Sequence, residues 1–160
     1  MKIIVIGASL SGKTTLIRYL KSIANFPILE IDEELTRLNG GTYPLNNKYK
    51  HQVLTPQIIK GVLERQQVIF FTNTDYFTNQ DLKKAKKKGF LIVQLDLSLE
   101  QLQKRNENRV KVEGYSDLSQ WLDGMVKYQT KTRKEGLVDK VINADQPTKS
   151  MARELIGLLN

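Results

Sequence analysis

Five short apolar runs punctuate the chain: Ile3-Ile4-Val5-Ile6, Ile28-Leu29-Glu30-Ile31, Val68-Ile69-Phe70-Phe71, Phe90-Leu91-Ile92-Val93-Gln94-Leu95 and Val141-Ile142. Continuous apolar runs bounded by turn signals read as strands buried on both faces. The intervening apolar residues recur at helical spacing. Leu16, Ile17, Leu20 and Ile23 predict a helix over about 13–24, separated from the next strand by Pro27. A short helix begins near Asp32 and ends by Gly40-Gly41. Thr55, as an N-cap, and Pro56, at the first helical position, open a helix carrying Ile58, Ile59, Val62 and Leu63. Thr78 with Asp81 forms a capping box for a lysine-rich helix that Gly89 ends. Ser98 with Gln101 caps a helix running to about Arg109. Leu118, Trp121, Leu122, Met125 and Val126 mark a long amphipathic helix ended near Gly136, and Met151, Leu155, Ile156, Leu158 and Leu159 mark the last. Residues 39–54 are polar and lack periodicity, so they read as a long connection of the functional or mobile kind.

Strands alternating with helices imply an α/β fold: three α/β/α layers around a mostly parallel five-stranded sheet. Ligands of such sheets sit beyond the C-terminal strand ends. That rule gathers the loops at 7–14, 32–54, 72–78, 96–98 and 143–147 into one place. With no internal repeat or low-complexity linker, residues 1–160 are expected to form one domain.

The first of those loops carries the clearest chemistry. Gly7-Ala8-Ser9-Leu10-Ser11-Gly12-Lys13-Thr14 matches G-x-x-x-x-G-K-[ST], the phosphate-binding P-loop, and lies between a strand and a helix as the motif requires. Backbone N–H groups of a tight loop converge on phosphate oxygens, and the helix N-terminus adds a favourable dipole. Gly7, Ser9, Ser11, Gly12, Lys13, Thr14 and Thr15 form the expected nucleotide-binding set. Lys13 reaches the β- and γ-phosphates in this reading, and Thr14 ligates Mg²⁺ through its hydroxyl.

Composition narrows the setting. The absence of cysteine excludes disulfides and thiolate–zinc sites. The apolar run at the N-terminus is too short for a signal peptide, and no stretch approaches the roughly 20 apolar residues of a membrane helix. A soluble, cytoplasmic protein is expected. The net charge is +8, and its densest run is Lys83-Lys84-Ala85-Lys86-Lys87-Lys88. A solvated helix face accounts for that run. It also raises a nucleic-acid partner, which no motif supports.

The P-loop near the N-terminus, the five strands, and Arg105 and Arg109 late in the helix after strand four resemble the adenylate/shikimate-kinase-like group of small P-loop kinases. The resemblance covers nearly the whole chain. It implies sheet order 2-3-1-4-5, an acceptor-binding segment at about 32–65 and a short lid at about 105–116. It also implies transfer of the γ-phosphoryl group of Mg·ATP to a small acceptor. ATP and that acceptor are the expected partners, for a monomer or homodimer away from membranes. Arg105 and Arg109 are four apart and share a helical face. By resemblance they close over the nucleotide, Arg109 on the phosphates and Arg105 against the adenine; paired with Glu107 or Glu113 they would be surface cations only. The lid, lacking cysteine, holds no zinc.

Glu30-Ile31-Asp32 resembles the D-x-D of shikimate-type kinases, with Glu in place of the first acid. Strand alternation puts Glu30 and Asp32 on one side. Asp32 then binds the acceptor hydroxyl, or caps the following helix, or does both. After strand three the chain has Thr72-Asn73 where many P-loop enzymes carry a metal-holding Asp; Glu30, Asp75 and Asp96 are the remaining acids for that task. The backbone of Asn143-Ala144-Asp145, Ala144 at its centre, lies against the adenine by resemblance, and an ordinary turn explains the same residues. Arg37, Tyr43, Lys48, Tyr49, Lys50 and His51 would suit an anionic or aromatic acceptor, such as a nucleoside, nucleotide or hydroxylated metabolite; ordinary loop composition explains them too. His51, the single histidine, reads as a loop residue. Lys13, Asp32 and Arg109 are the expected catalytic set. Two other functions stay open: a non-catalytic or slowly hydrolysing nucleotide-binding regulator, and a nucleic-acid end kinase.

Overall fold

The computed structural model describes residues 1–73 and 75–159. Its five strands are β1 (Lys2–Gly7), β2 (Ile28–Glu30), β3 (Val68–Thr72), β4 (Leu91–Asp96) and β5 (Lys140–Asn143). They form one parallel sheet of order β2-β3-β1-β4-β5. Alternation along each strand feeds two cores. Ile3 and Val5 of β1 face one side and Ile4 and Ile6 the other. On the first side lie α1 (Lys13–Ile23), α6 (Leu99–Asn108), α7 (Ser119–Lys134) and α8 (Thr148–Gly157), contributing Leu16, Leu20, Leu102, Leu122, Met151 and Leu155. On the second lie α2 (Ile31–Leu38), α4 (Thr55–Leu63) and α5 (Asn79–Lys87), contributing Leu35, Ile58, Val62, Leu82 and Ala85. The three layers and the strand order are those expected.

Both predicted capping boxes are present, Thr78 with Asp81 and Ser98 with Gln101. Gly89 and Gly136 end their helices at φ 81° and 70°, the left-handed region glycine enters without strain.

Three local expectations are corrected. Residues 47–54 are helical: α3 (Asn47–Tyr49) starts at Asn46, whose side chain accepts from the Tyr49 N–H at 3.0 Å, and a π-helical turn (Lys50–Leu54) runs into α4. Thr55 is therefore inside a helical run and not its cap. Proline lacks an N–H and clashes with the carbonyl four residues back. The wider turn precedes Pro56, and the Thr55 hydroxyl donates to the Lys50 carbonyl at 2.8 Å. Second, Trp121 is 57% exposed. The inward stripe of α7 continues from Leu122 through the polar Gln129 and Thr132, which apolar periodicity cannot register. Third, β2 stops at Glu30, and Asp32 lies in the first turn of α2. Glu30 and Asp32 thus do not alternate along one strand. The cap of α2 is Glu30, which accepts from the Glu33 N–H at 3.0 Å.

Among the described residues, no helix is long and apolar enough to cross a membrane.

Candidate functional site

The C-terminal ends of β1, β2 and β3 and the end of α6 enclose a cleft of about 910 Å³. Its lining includes Ser9, Gly12, Lys13, Thr14, Thr15, Asp32, Arg105 and Arg109. The loop that organises it is held from within. The Ser11 hydroxyl is buried and donates to the Ala8 carbonyl at 2.7 Å. A Cβ on Gly7 would lie 2.6 Å from that hydroxyl oxygen, so Gly7 is needed for the turn to close. Gly7 and Ser11 therefore sit behind the cleft and shape it, while Gly12 starts α1 at φ 87° and exposes the helix N-terminus to it.

The Lys13 ammonium donates to the carbonyls of Gly7 at 2.5 Å and Ala8 at 2.8 Å. Burial lowers its pKa to about 8, against the opposing pull of Glu30, Asp32 and Asp75. A phosphate would restore the favourable environment for its charge. Thr14 and Thr15 are exposed at the cleft mouth, on the first turn of α1.

Leu10 has φ 70°, the one non-glycine residue in the left-handed region among those described. Arg105 secures it. One guanidinium nitrogen donates to the Leu10 carbonyl at 2.8 Å and another to the Ala144 carbonyl at 3.2 Å. These two bonds join the phosphate loop to the turn after β5. Ala144 is buried and its N–H donates to the Asp96 carbonyl at 2.9 Å, so its backbone is anchored on both sides. Arg109 lies at the start of a second π-helical turn (Arg109–Glu113). Its guanidinium stands 4.2 Å from the Tyr115 ring centroid, with Glu113 at 4.0 Å.

Asp32 reaches solvent, but protein crowds its carboxyl on the cleft side. That loss of solvent pushes its pKa up, while Lys50 and then Lys13 pull it back. Glu30 is also pushed up, first by burial and then by Asp32. Around Asp32 stands a cluster that sequence reasoning only partly grouped. Lys50 is 9% exposed, and its ammonium lies 5.2 Å from the Tyr43 ring centroid and 5.8 Å from that of Tyr76. The two phenol oxygens are 3.0 Å apart, and Lys50 donates to Tyr43 at 3.4 Å. Burial and the Tyr43 contact raise the Tyr76 pKa far above its ordinary value, so the phenol stays protonated. His51 stacks on Tyr76 at 5.1 Å between centroids. Tyr76 went unassigned from sequence because a lone loop tyrosine carries no periodic signal.

Among the described residues, no group of three His, Asp or Glu side chains could cage a metal ion. Mg²⁺ on a nucleotide needs no such cage, because phosphates and waters supply most of its oxygens. Thr14, Glu30, Asp32 and Asn73 line the cleft and offer oxygen donors of the right kind, so the residues fit a phosphate-borne Mg²⁺. Of the other two candidate acids, Asp96 is 3.6 Å from the Arg133 guanidinium, while Asp75 lines a neighbouring groove yet still acts on the Lys13 charge.

No family model matches the sequence, and no curated protein matches it. Solved structures do. A shikimate kinase from Aquifex aeolicus superposes with a TM-score of 0.76 at 20% identity, covering 99% of this chain and 96% of the other. A shikimate kinase from Acinetobacter baumannii in complex with shikimate gives 0.74 at 19% identity, covering 99% and 92%. A gluconokinase from Sinorhizobium meliloti gives 0.66 at 21% identity, covering 99% and 91%. Over nearly its whole length, the chain has the small P-loop kinase fold of these structures.

Proposed function

We propose that the protein is a small-molecule kinase that transfers the γ-phosphoryl group of ATP to a hydroxyl of a small acceptor. One observation carries the reading: the P-loop lysine, the acid Asp32 and the cation Arg109 line one cleft. Phosphoryl transfer asks the protein mainly for positioning and charge stabilisation. In this reading the P-loop amides and Lys13 hold the β- and γ-phosphates. Asp32 orients the acceptor hydroxyl and takes its proton. Arg109 swings from Tyr115 onto the transferring group as residues 105–116 close, adding positive charge and excluding water. Bound Mg²⁺ would neutralise phosphate charge, with Thr14 as its protein ligand and Glu30 or Asp32 on its waters. Arg105 fixes the loop and the turn that would flank the base.

Lys50 supports an acceptor that carries an anionic group beside its hydroxyls. It is a buried ammonium with three donors and, among the described residues, one long hydrogen bond, next to Asp32. The names of the structural neighbours, shikimate kinase, gluconokinase and a sugar kinase, point the same way, toward hydroxylated acids and sugars. The test is ADP release from Mg·ATP with hydroxylated acids, sugars, nucleosides and nucleoside monophosphates. Saturable stimulation by one class establishes the kinase and its acceptor class. A second reading, a nucleotide-binding regulator, draws on the end of β3, where Thr72 and Asn73 stand and no acid follows directly. It predicts ATP-dependent closure with no stimulation by any acceptor.

A further inference from the structure

The run Lys83-Lys84-Ala85-Lys86-Lys87-Lys88 takes no part in the P-loop cleft. Lys86 pairs with Asp139. Lys84 and Lys88 instead stand on the rim of a second groove of about 570 Å³ between α4 and α5. Its floor is apolar: Pro56, Ile59 and Leu63 recur at i, i+3 and i+7 on one face of α4. Its wall is the stacked pair His51 and Tyr76, with rings inclined by 13°. That wall is built before any ligand arrives, because Tyr76 is 8% exposed and its hydroxyl is held by Tyr43 at 3.0 Å. Preorganisation of this kind reduces the cost of binding.

The charges on the groove are unequal. Asp81 is engaged by the Thr78 N–H at 3.1 Å and the Thr78 hydroxyl at 2.8 Å, with Lys84 at 4.0 Å. Lys60 and Lys88 have no ion-pair partner among the described residues. Asp75, at the edge beside Tyr76, is the remaining acid. An apolar floor, an aromatic wall and two rim cations outside any ion pair among the described residues, against the remaining acid Asp75, give the groove a cationic, apolar character.

We propose that this groove binds a small, flat organic anion. Its apolar or aromatic body lies on Ile59 and Leu63 against the His51–Tyr76 wall. Its carboxylate or phosphate group meets Lys60 and Lys88. The site is separate from the P-loop cleft and does not rest on the kinase reading.

Amide chemical-shift titrations with 1-naphthoate, 1-naphthyl phosphate and the neutral 1-naphthalenemethanol test it. Saturable shifts are expected at His51, Ile59, Tyr76 and Lys84, with either anion bound at least tenfold tighter than the alcohol. The tighter of the two anions identifies the group that the rim prefers. The double variant K60E/K88E, altering two exposed side chains, is expected to erase the advantage of the anions, as is high salt. Equal binding of the alcohol, shifts confined to the P-loop and Asp32, or no saturable shift would each overturn the proposal.

Discussion

Arg105 donates to the carbonyl of Leu10, a residue 95 positions away and held at a left-handed φ of 70°. A branched side chain in that conformation costs about 1–2 kcal/mol relative to the right-handed region. The same guanidinium reaches Ala144 at 3.2 Å, so one side chain braces the phosphate loop against the turn after β5. Arg105→Lys keeps the charge and loses the planar fork. ATP affinity by titration calorimetry is expected to fall about tenfold, the equivalent of one charged hydrogen bond. Unchanged affinity would remove the brace from the account of the site.

Lys13 gives a pH signature. Its pKa is lowered to about 8 in the folded protein by burial, from an ordinary value of 10.5. Between those values the unfolded chain binds more protons than the folded one, so Lys13 makes stability rise with pH across that window. Lys13→Met is expected to flatten that part of the stability profile in urea unfolding without nucleotide. ATP should raise the Lys13 pKa again. Binding at a pH above 8 is then expected to take up a proton, read from calorimetry in buffers of different ionisation enthalpy, and Lys13→Met abolishes that uptake along with most of the affinity.

Loss of solvent raises the pKa of both Asp32 and Glu30; Asp32 adds to the rise at Glu30, while Lys50 is the strongest pull lowering Asp32. Turnover is expected to lose its acid limb above the ordinary carboxylate range, since Asp32 must be ionised to take a proton. Lys50→Met removes that pull and is expected to move that limb to higher pH. Asp32→Asn should cost about 10²–10⁴ in turnover while leaving ATP binding within a few-fold. A pH profile identical in Lys50→Met would show that Lys50 does not act on Asp32.

Arg109 rests on the Tyr115 ring in this structure. Arg109→Ala is expected to leave ATP binding within a few-fold and reduce turnover by about 10³, the effect of removing a cation from the transferring group. If its turnover equals that of the parent protein, Arg109 has no part in transfer.

A buried polar pair on the first side of the sheet offers a test of stability. Gln94 donates to Gln129 and to Asp96, each at 3.3 Å, and the Gln94 Oε1 and Gln129 Nε2 atoms have no partner among the described residues. Gln129→Leu alone strands more of Gln94 and is expected to cost about 1–3 kcal/mol in denaturant unfolding. The double change to leucine at both positions is expected to be near neutral, because both desolvated amides go together. A double variant less stable than the single one would show that the pair contributes through its shape.

The strands were legible because a buried parallel strand must be apolar on both faces, as Ile3–Ile6 and Val68–Phe71 are. The P-loop was legible because its residues and spacing serve a local geometry. So were the boxes at Thr78 and Ser98, where a cap and its partner lie within one turn. Residues 47–54 misled because their helix turns only part of one face inward, on Lys50 and Leu54, and so lacks an apolar stripe. A helix starting near Asp32 is legible, but strand alternation carried past Glu30 wrongly puts Glu30 and Asp32 on one side, because the backbone has already turned into α2.

By itself, then, the sequence determined the layered α/β architecture, the phosphate-binding loop and the two capping boxes. Each depends on contacts within a few residues or on the burial of a whole element. Only the tertiary structure decided that Arg105 braces Leu10 to Ala144, that Lys50 sits between Tyr43 and Tyr76, and that Lys84 and Lys88 face the apolar side of α4 across a groove. Apart from Lys50 and Tyr43, those partners lie far apart along the chain, and sheet order and packing set which of them meet.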